Sequence, residues 1–208
     1  VGAQVDFGHP LGSGLVSSYL FAEGNGHPTS SIQGTSTPLA FVGGAPTWVG
    51  LQPFGGLQFP GSAVYAEGQI RSIVGRPFTI HFGFTPINSS REVLWIGTTD
   101  AADQRIHLTI GQFDMQFRMY ADDLTPTVTI NPDNLFLSMS CTLDESKTQS
   151  VYRNGILAGS RVASGFYIGN DTLRVGANAT AYGVFHYLHI YDRALSAPEL
   201  VALHADPY

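Results

Sequence analysis

The chain has 208 residues, enough for one large domain with its own core. Charged residues make up 12%, about half the ~25% usual in soluble domains, and the net charge is −6. With no basic run to track a phosphate backbone, nucleic acid is excluded as a partner. No stretch is apolar enough for membrane insertion, and the single Cys141 allows no internal disulfide.

Residues 1–14 read as an N-terminal arm, with Val5, Phe7, Pro10 and Leu11 as its apolar contacts; the remainder, 15–208, reads as one domain. Segment 24–56 is rich in Gly and Ser and predicts long loops between a few strands. Strict alternation then takes over. Phe78, Ile80, Phe82 and Phe84 interleave with Thr79, His81 and Gly83. Ile106, Leu108 and Ile110 follow, then Met115, Phe117 and Met119, then Leu135, Leu137, Met139, Cys141 and Leu143. Period two over such lengths predicts half-buried antiparallel strands, and it places Cys141 on the dry side as a core residue. Asn154-Gly155, between Val151-Tyr152-Arg153 and Ile156-Leu157-Ala158, predicts a type I′ hairpin. Near the end, Ser196 and Glu199 stand at capping-box spacing with Leu195 and Leu200 as a hydrophobic staple, so a short helix closes the chain. The expected core is Phe21, Phe59, Phe78, Ile80, Phe82, Leu108, Phe117, Leu137, Met139, Val175, Leu188 and Ile190.

Six phrases in order carry a family resemblance: Gly14-Leu15-Val16 running to Phe21-Ala22-Glu23-Gly24-Asn25-Gly26, Leu57-Gln58-Phe59-Pro60-Gly61, Phe78-Thr79-Ile80 with Pro86, Val151-Tyr152-Arg153-Asn154-Gly155, Leu173-Arg174-Val175-Gly176, and Ile190-Tyr191-Asp192-Arg193-Ala194-Leu195-Ser196 with Glu199 and Leu203. Over 15–208 the chain resembles the laminin-G-like (concanavalin A-like lectin/glucanase) jelly-roll family. The resemblance implies an all-β antiparallel sandwich of jelly-roll topology with a short C-terminal helix. It leaves function open, because one fold hosts many. Some relatives bind calcium through acids after the first strand. Here that stretch reads His27-Pro28-Thr29-Ser30-Ser31-Ile32-Gln33-Gly34, without carboxylates, so the resemblance implies no calcium site there.

For glycoside hydrolysis two carboxylates must flank the scissile bond. The five glutamates, Glu23, Glu67, Glu92, Glu145 and Glu199, share no such window, so no catalytic residue is expected. His186 and His189 are three apart, which on a regular strand sends them to opposite faces and prevents joint chelation unless a bulge intervenes. No cofactor is expected. Asp100 with Asp103, Asp122-Asp123 and Asp144-Glu145 lie beside turns, and Asp122 and Asp123 are the first candidates should a Ca2+ bind weakly. Aromatic rings that stack on sugars are available in Trp95 and Tyr120, and also in Tyr65, Tyr167 and Tyr182. The candidate ligand site is therefore Trp95, Tyr120, Asp122 and Asp123, on the loops Trp95–Asp103 and Tyr120–Thr125. Asn88, Asn170 and Asn178 stand in glycosylation sequons.

Two functions are expected from these features. With no export signal or linker in view, the first is a non-enzymatic structural or decorating subunit at a virion surface, homo-oligomeric and clamped to neighbouring protein subunits by the arm. The second is a stand-alone carbohydrate-binding module, extracellular, with glycans as partners.

Overall fold

Alternating apolar residues can bury one face only by pairing into sheets. A computed structural model, which describes residues 9–32, 37–50, 55–61, 63–87, 92–111, 114–120, 122–127, 135–176 and 182–207, shows the pairing. A single 3-10 turn, Pro10–Gly12, opens the described chain. The strands then follow in order: β1 (Leu15–Leu20), β2 (Ala40–Val42), β3 (Thr47–Val49), β4 (Gly56–Pro60), β5 (Tyr65–Gln69), β6 (Phe78–Pro86), β7 (Glu92–Ile96) and β8 (Ile106–Ile110). Next come β9 (Met115–Arg118), β10 (Asp123–Leu124), β11 (Leu137–Leu143), β12 (Thr148–Arg153), β13 (Ile156–Val162), β14 (Thr172–Val175) and β15 (Tyr182–Tyr191), and α1 (Ala197–Ala205) ends the chain.

Among the described residues two antiparallel sheets form. One runs β13-β12-β11-β6-β15-β4-β3, with β1 also paired to β15. The other runs β10-β9-β8-β7-β14-β5-β2. Consecutive hairpin strands alternate with sequence-distant neighbours, β11-β6-β15-β4 in one sheet and β7-β14-β5-β2 in the other, as jelly-roll topology requires. Between the sheets lies one core, and all twelve residues expected there are buried, Cys141 with them. Phe185 sits at its centre, with the rings of Phe84, Phe59, Phe21 and Phe82 at 4.8, 5.8, 6.0 and 6.0 Å. The β12–β13 hairpin turns at Asn154 (φ +50°) and Gly155 (φ +75°), the two positive-φ positions a type I′ turn needs.

The helix closes the chain as its capping residues foretell. The Ser196 N–H and hydroxyl both donate to Glu199 Oε2, and Arg193 pairs with Glu199 Oε1 at 2.8 Å. The Arg193 hydrogen bond, joined by those from Ser196, lowers the Glu199 carboxyl to about 2 against the upward pull of burial. Leu200 and Leu203 bury against Tyr191 and Leu195 on the outer side of the larger sheet, with Leu11 packed beside them. Leu11 thus contacts its own chain, and the Pro10 carbonyl accepts from Arg193. Val5 and Phe7 lie outside the described residues.

Candidate functional site

The outer face of the seven-stranded sheet is where polar and aromatic side chains gather. Register places Asp123 opposite Arg118, Arg118 opposite His107, His107 opposite Trp95, Trp95 opposite Arg174, and Arg174 opposite Glu67. Residues directly opposite share a face, so these six form one row crossing β10, β9, β8, β7, β14 and β5.

At the middle of the row Trp95 stacks on His107, centroids 4.9 Å apart and planes 14° apart. Tyr120 meets the other side of this group edge-on, 5.1 Å from His107. His107, although it faces outward, is only 5% exposed because these neighbours close around it. The Arg105 guanidinium lies 4.6 Å from the Trp95 ring centre, a cation–π distance. Arg105 also binds Asp100 at 2.5 Å and the Thr98 carbonyl at 2.6 Å. The Tyr120 hydroxyl donates to the same Asp100 oxygen. Burial, then that hydrogen bond and the Asp100 charge, raise the Tyr120 phenol above its ordinary value. Trp95 Nε1, His107 Nε2 and Thr109 Oγ1 are buried, and find no hydrogen-bond partner among the described residues.

Loop packing assembles the group. The Asp103 N–H donates to the Met119 carbonyl at 2.7 Å, which ties the loop after β7 to the end of β9. Tyr120 takes φ +45° and Asp103 φ +57°, left-handed conformations unusual for residues with a Cβ. Gly97 (φ +94°) lets a third segment approach: a Cβ there would stand 2.3 Å from the Gln104 carbonyl and 2.6 Å from Tyr167 Oη. Asn170 from that segment donates to Thr98 Oγ1 at 2.6 Å.

Trp95 and Tyr120, nominated from sequence, are therefore brought together around His107, with the exposed Asp100 accepting from the Tyr120 hydroxyl. Asp123 stands at the end of the row, 3.3 Å from Arg118. Asp122 turns the other way. It is 3% exposed, accepts from the Ser164 N–H and hydroxyl at 2.6 Å, and pairs with Arg161 at 3.1 Å. Burial alone would raise its carboxyl; the Ser164 hydrogen bonds and Arg161 bring it below the ordinary value. Asp122 and Asp123 are thus engaged by different arginines on opposite sides of β10. Tyr65 lies on the outer face under Arg174, 5.0 Å from ring centre to guanidinium, while Tyr167 is buried in the core. The sequence reading passed over His107, Arg105, Arg174 and Glu67. Alternation along β8 shows that His107 faces outward; its meeting with Trp95 depends on cross-strand register.

The remaining chemistry candidates are engaged structurally. β15 does carry a bulge between Phe185 and Tyr187. Even so, His186 donates through Nδ1 to the Gly55 carbonyl and accepts at Nε2 from Thr85, while His189 donates through Nε2 to the Pro207 carbonyl and accepts at Nδ1 from Ser18. Among the described residues no three His, Cys, Asp or Glu side chains gather as a metal site. Glu23 accepts from the Thr29 N–H, Glu67 pairs with Arg174 and Glu199 caps α1.

This sandwich defines a class of lectin-like folds, and the sequence agrees. The chain belongs to the concanavalin A-like lectin/glucanases superfamily, whose Laminin_G_3 model matches residues 60–201. Among solved structures it is similar to domain 4 of AbnA, an extracellular arabinanase from Geobacillus stearothermophilus solved with arabinotriose: TM-score 0.69, 14% identity, 91% of this chain and 98% of that one. It is also similar to the binding domain of Paraclostridial Mosquitocidal Protein 1 (TM-score 0.70, 15% identity, 92% of this chain) and to botulinum neurotoxin type C, described with two ganglioside molecules (TM-score 0.69, 11% identity, 94% of this chain). The chain spans about half of each toxin structure, 52% and 51%. At these identities the likeness is one of fold. No curated protein sequence matches the chain.

Proposed function

We propose that this chain is a non-catalytic carbohydrate-binding module that acts outside the cell and holds its glycan at the Trp95–His107–Tyr120 group. One observation carries this reading: half-buried Trp95 and Tyr120 converge on an outward sheet face, with the exposed Asp100 carboxylate supplying an acceptor beside them. Sugar rings offer apolar faces to aromatic side chains and hydroxyls to polar neighbours, so a few placed polar groups among aromatics suit them. Support comes also from the arabinotriose held by AbnA domain 4 and the gangliosides met by the botulinum toxin. Trp95→Ala and Tyr120→Ala are each expected to abolish retention in a glycan-containing gel while leaving the circular dichroism spectrum intact. Undiminished retention by both variants refutes the site.

One feature favours a protein partner instead. Among the described residues β13 is the last strand of its sheet, and Ile156 and Val162 on it are 73% and 68% exposed, with Val201 of α1 exposed nearby. Unpaired edges with apolar side chains invite strand pairing. This supports the reading as a homo-oligomeric decorating subunit of a virion surface. A monomer in light scattering across the micromolar range, with no change in particle binding after deletion of residues 1–12, counts against it.

A further inference from the structure

Resting on the carbohydrate-binding reading, the charge arrangement of the same face points to the chemical class of the glycan. We infer that it is an uncharged, hydroxyl-rich saccharide of several residues, lying along the row from Arg118 to Glu67, and that acidic sugars are rejected.

Three guanidiniums of this face are already engaged by protein carboxylates. Arg118 pairs with Asp123 at 3.3 Å, Arg105 with Asp100 at 2.5 Å and Arg174 with Glu67 at 2.5 Å. Two further carboxylates stand beside them: Glu92, 3.7 Å from His107 Nδ1, and Asp114, which accepts from Gln116 at 2.6 Å. Among the described residues the face therefore carries more carboxylates than guanidiniums. Lys147, the single lysine of the chain, is elsewhere, over Phe166 and bonded to the Ser164 carbonyl.

A uronate, sialate or sulfated sugar adds a negative charge. Here its anion would compete with Asp123, Asp100 or Glu67 for an arginine and would stand beside carboxylates that outnumber the guanidiniums. Like charges set side by side are disfavoured. A sugar hydroxyl has no such difficulty. A guanidinium has five N–H donors and a carboxylate about four acceptor sites, so an intact ion pair keeps spare donors and acceptors side by side, and a hydroxyl that donates and accepts can use both. The pairs are set along the row with Trp95 between them, and Tyr65 flanks Arg174. From β10 to β5 the row makes five strand-to-strand steps of about 4.8 Å, roughly 24 Å in all. That length exceeds one monosaccharide, so an oligomer gains contacts that a single sugar cannot.

The test uses the whole chain in affinity electrophoresis against neutral polysaccharides (arabinan, galactan, β-glucan, mannan) and acidic ones (polygalacturonate, polysialate, heparan sulfate). Retention by at least one neutral polymer is expected, unchanged between about 0.05 and 0.5 M NaCl, a range that screens exposed charges strongly. No retention by the acidic polymers is expected. Arg174→Ala should weaken the neutral retention about tenfold, the scale of a charge-assisted hydrogen bond. Retention by acidic polymers that fades with salt overturns the inference but leaves the carbohydrate-binding reading standing. Undiminished retention by Arg174→Ala overturns the placement along the row. Retention by no polymer of either class overturns both the inference and the reading beneath it.

Discussion

Lowering the pH from 7.5 to 5 should destabilise this protein through histidines of the larger sheet, and His189 allows the size of the effect to be worked out. His189 is 4% exposed, stacks 6.1 Å from His81, and is wedged between the Ser18 hydroxyl and the Pro207 carbonyl. Burial lowers its imidazole from 6.5 to about 4, with the Pro207 hydrogen bond pulling the other way. A group whose folded value lies below its unfolded one gives stability that is whole above the unfolded value and is lost as pH falls toward the folded one. The window is therefore 6.5 down to about 4. Linkage over that shift amounts to ~3 kcal/mol in full, of which ~2 kcal/mol is gone by pH 5. His81, wholly buried and pushed well below its ordinary value by burial and then by the charges of His189 and His204, acts in the same direction. The low value of Glu199 acts elsewhere, removing stability only as pH falls from 4.5 toward about 2. Urea unfolding at pH 7.5 and 5, followed by tryptophan fluorescence, measures the loss. His189→Gln retains an N–H for the Pro207 carbonyl but cannot titrate, so its loss between the two pH values should be smaller by ~2 kcal/mol. If variant and parent lose the same stability over this interval, the assignment of the acid sensitivity to a buried neutral His189 is wrong.

Two further outcomes test the core. Phe185→Ala removes the ring on which Phe21, Phe59, Phe82 and Phe84 converge and should cost about 3–5 kcal/mol in the same urea assay; a loss below about 1 kcal/mol would mean the two sheets close over the gap. Cys141 is fully buried, and desolvation raises its thiol well above the ordinary value, so a thiol reagent should label it only after denaturation. Rapid labelling of the native protein would show that the strand pair β6–β11 opens readily.

How much of the site was legible depends on how far each contact reaches along the chain. Trp95 and Tyr120 were nominated as aromatics beside turns, and they do meet. Their bridge, His107, was visible only as an outward residue of an alternating strand, because its meeting with Trp95 is a matter of register between β7 and β8. Asp122 and Asp123 look equivalent in sequence. Neighbouring residues of a strand point oppositely, and the structure gives one to Arg161 and Ser164 and the other to Arg118. The Arg174–Glu67 pair joins residues 107 positions apart, which no local pattern foretells.

What the amino-acid order determined by itself was everything governed by short-range periodicity and turn chemistry: the alternating strands, the core positions, the Asn154-Gly155 hairpin and the capped final helix. These depend on interactions within a few residues, so the pattern that encodes them lies in one stretch of chain. Only the tertiary structure decided which outward residues share a face. In a jelly roll, strands distant in sequence become neighbours, and register between strands sets which charges of the row meet. The row from Asp123 to Glu67, and the ion pairing along it, exist only once six strands have been laid side by side.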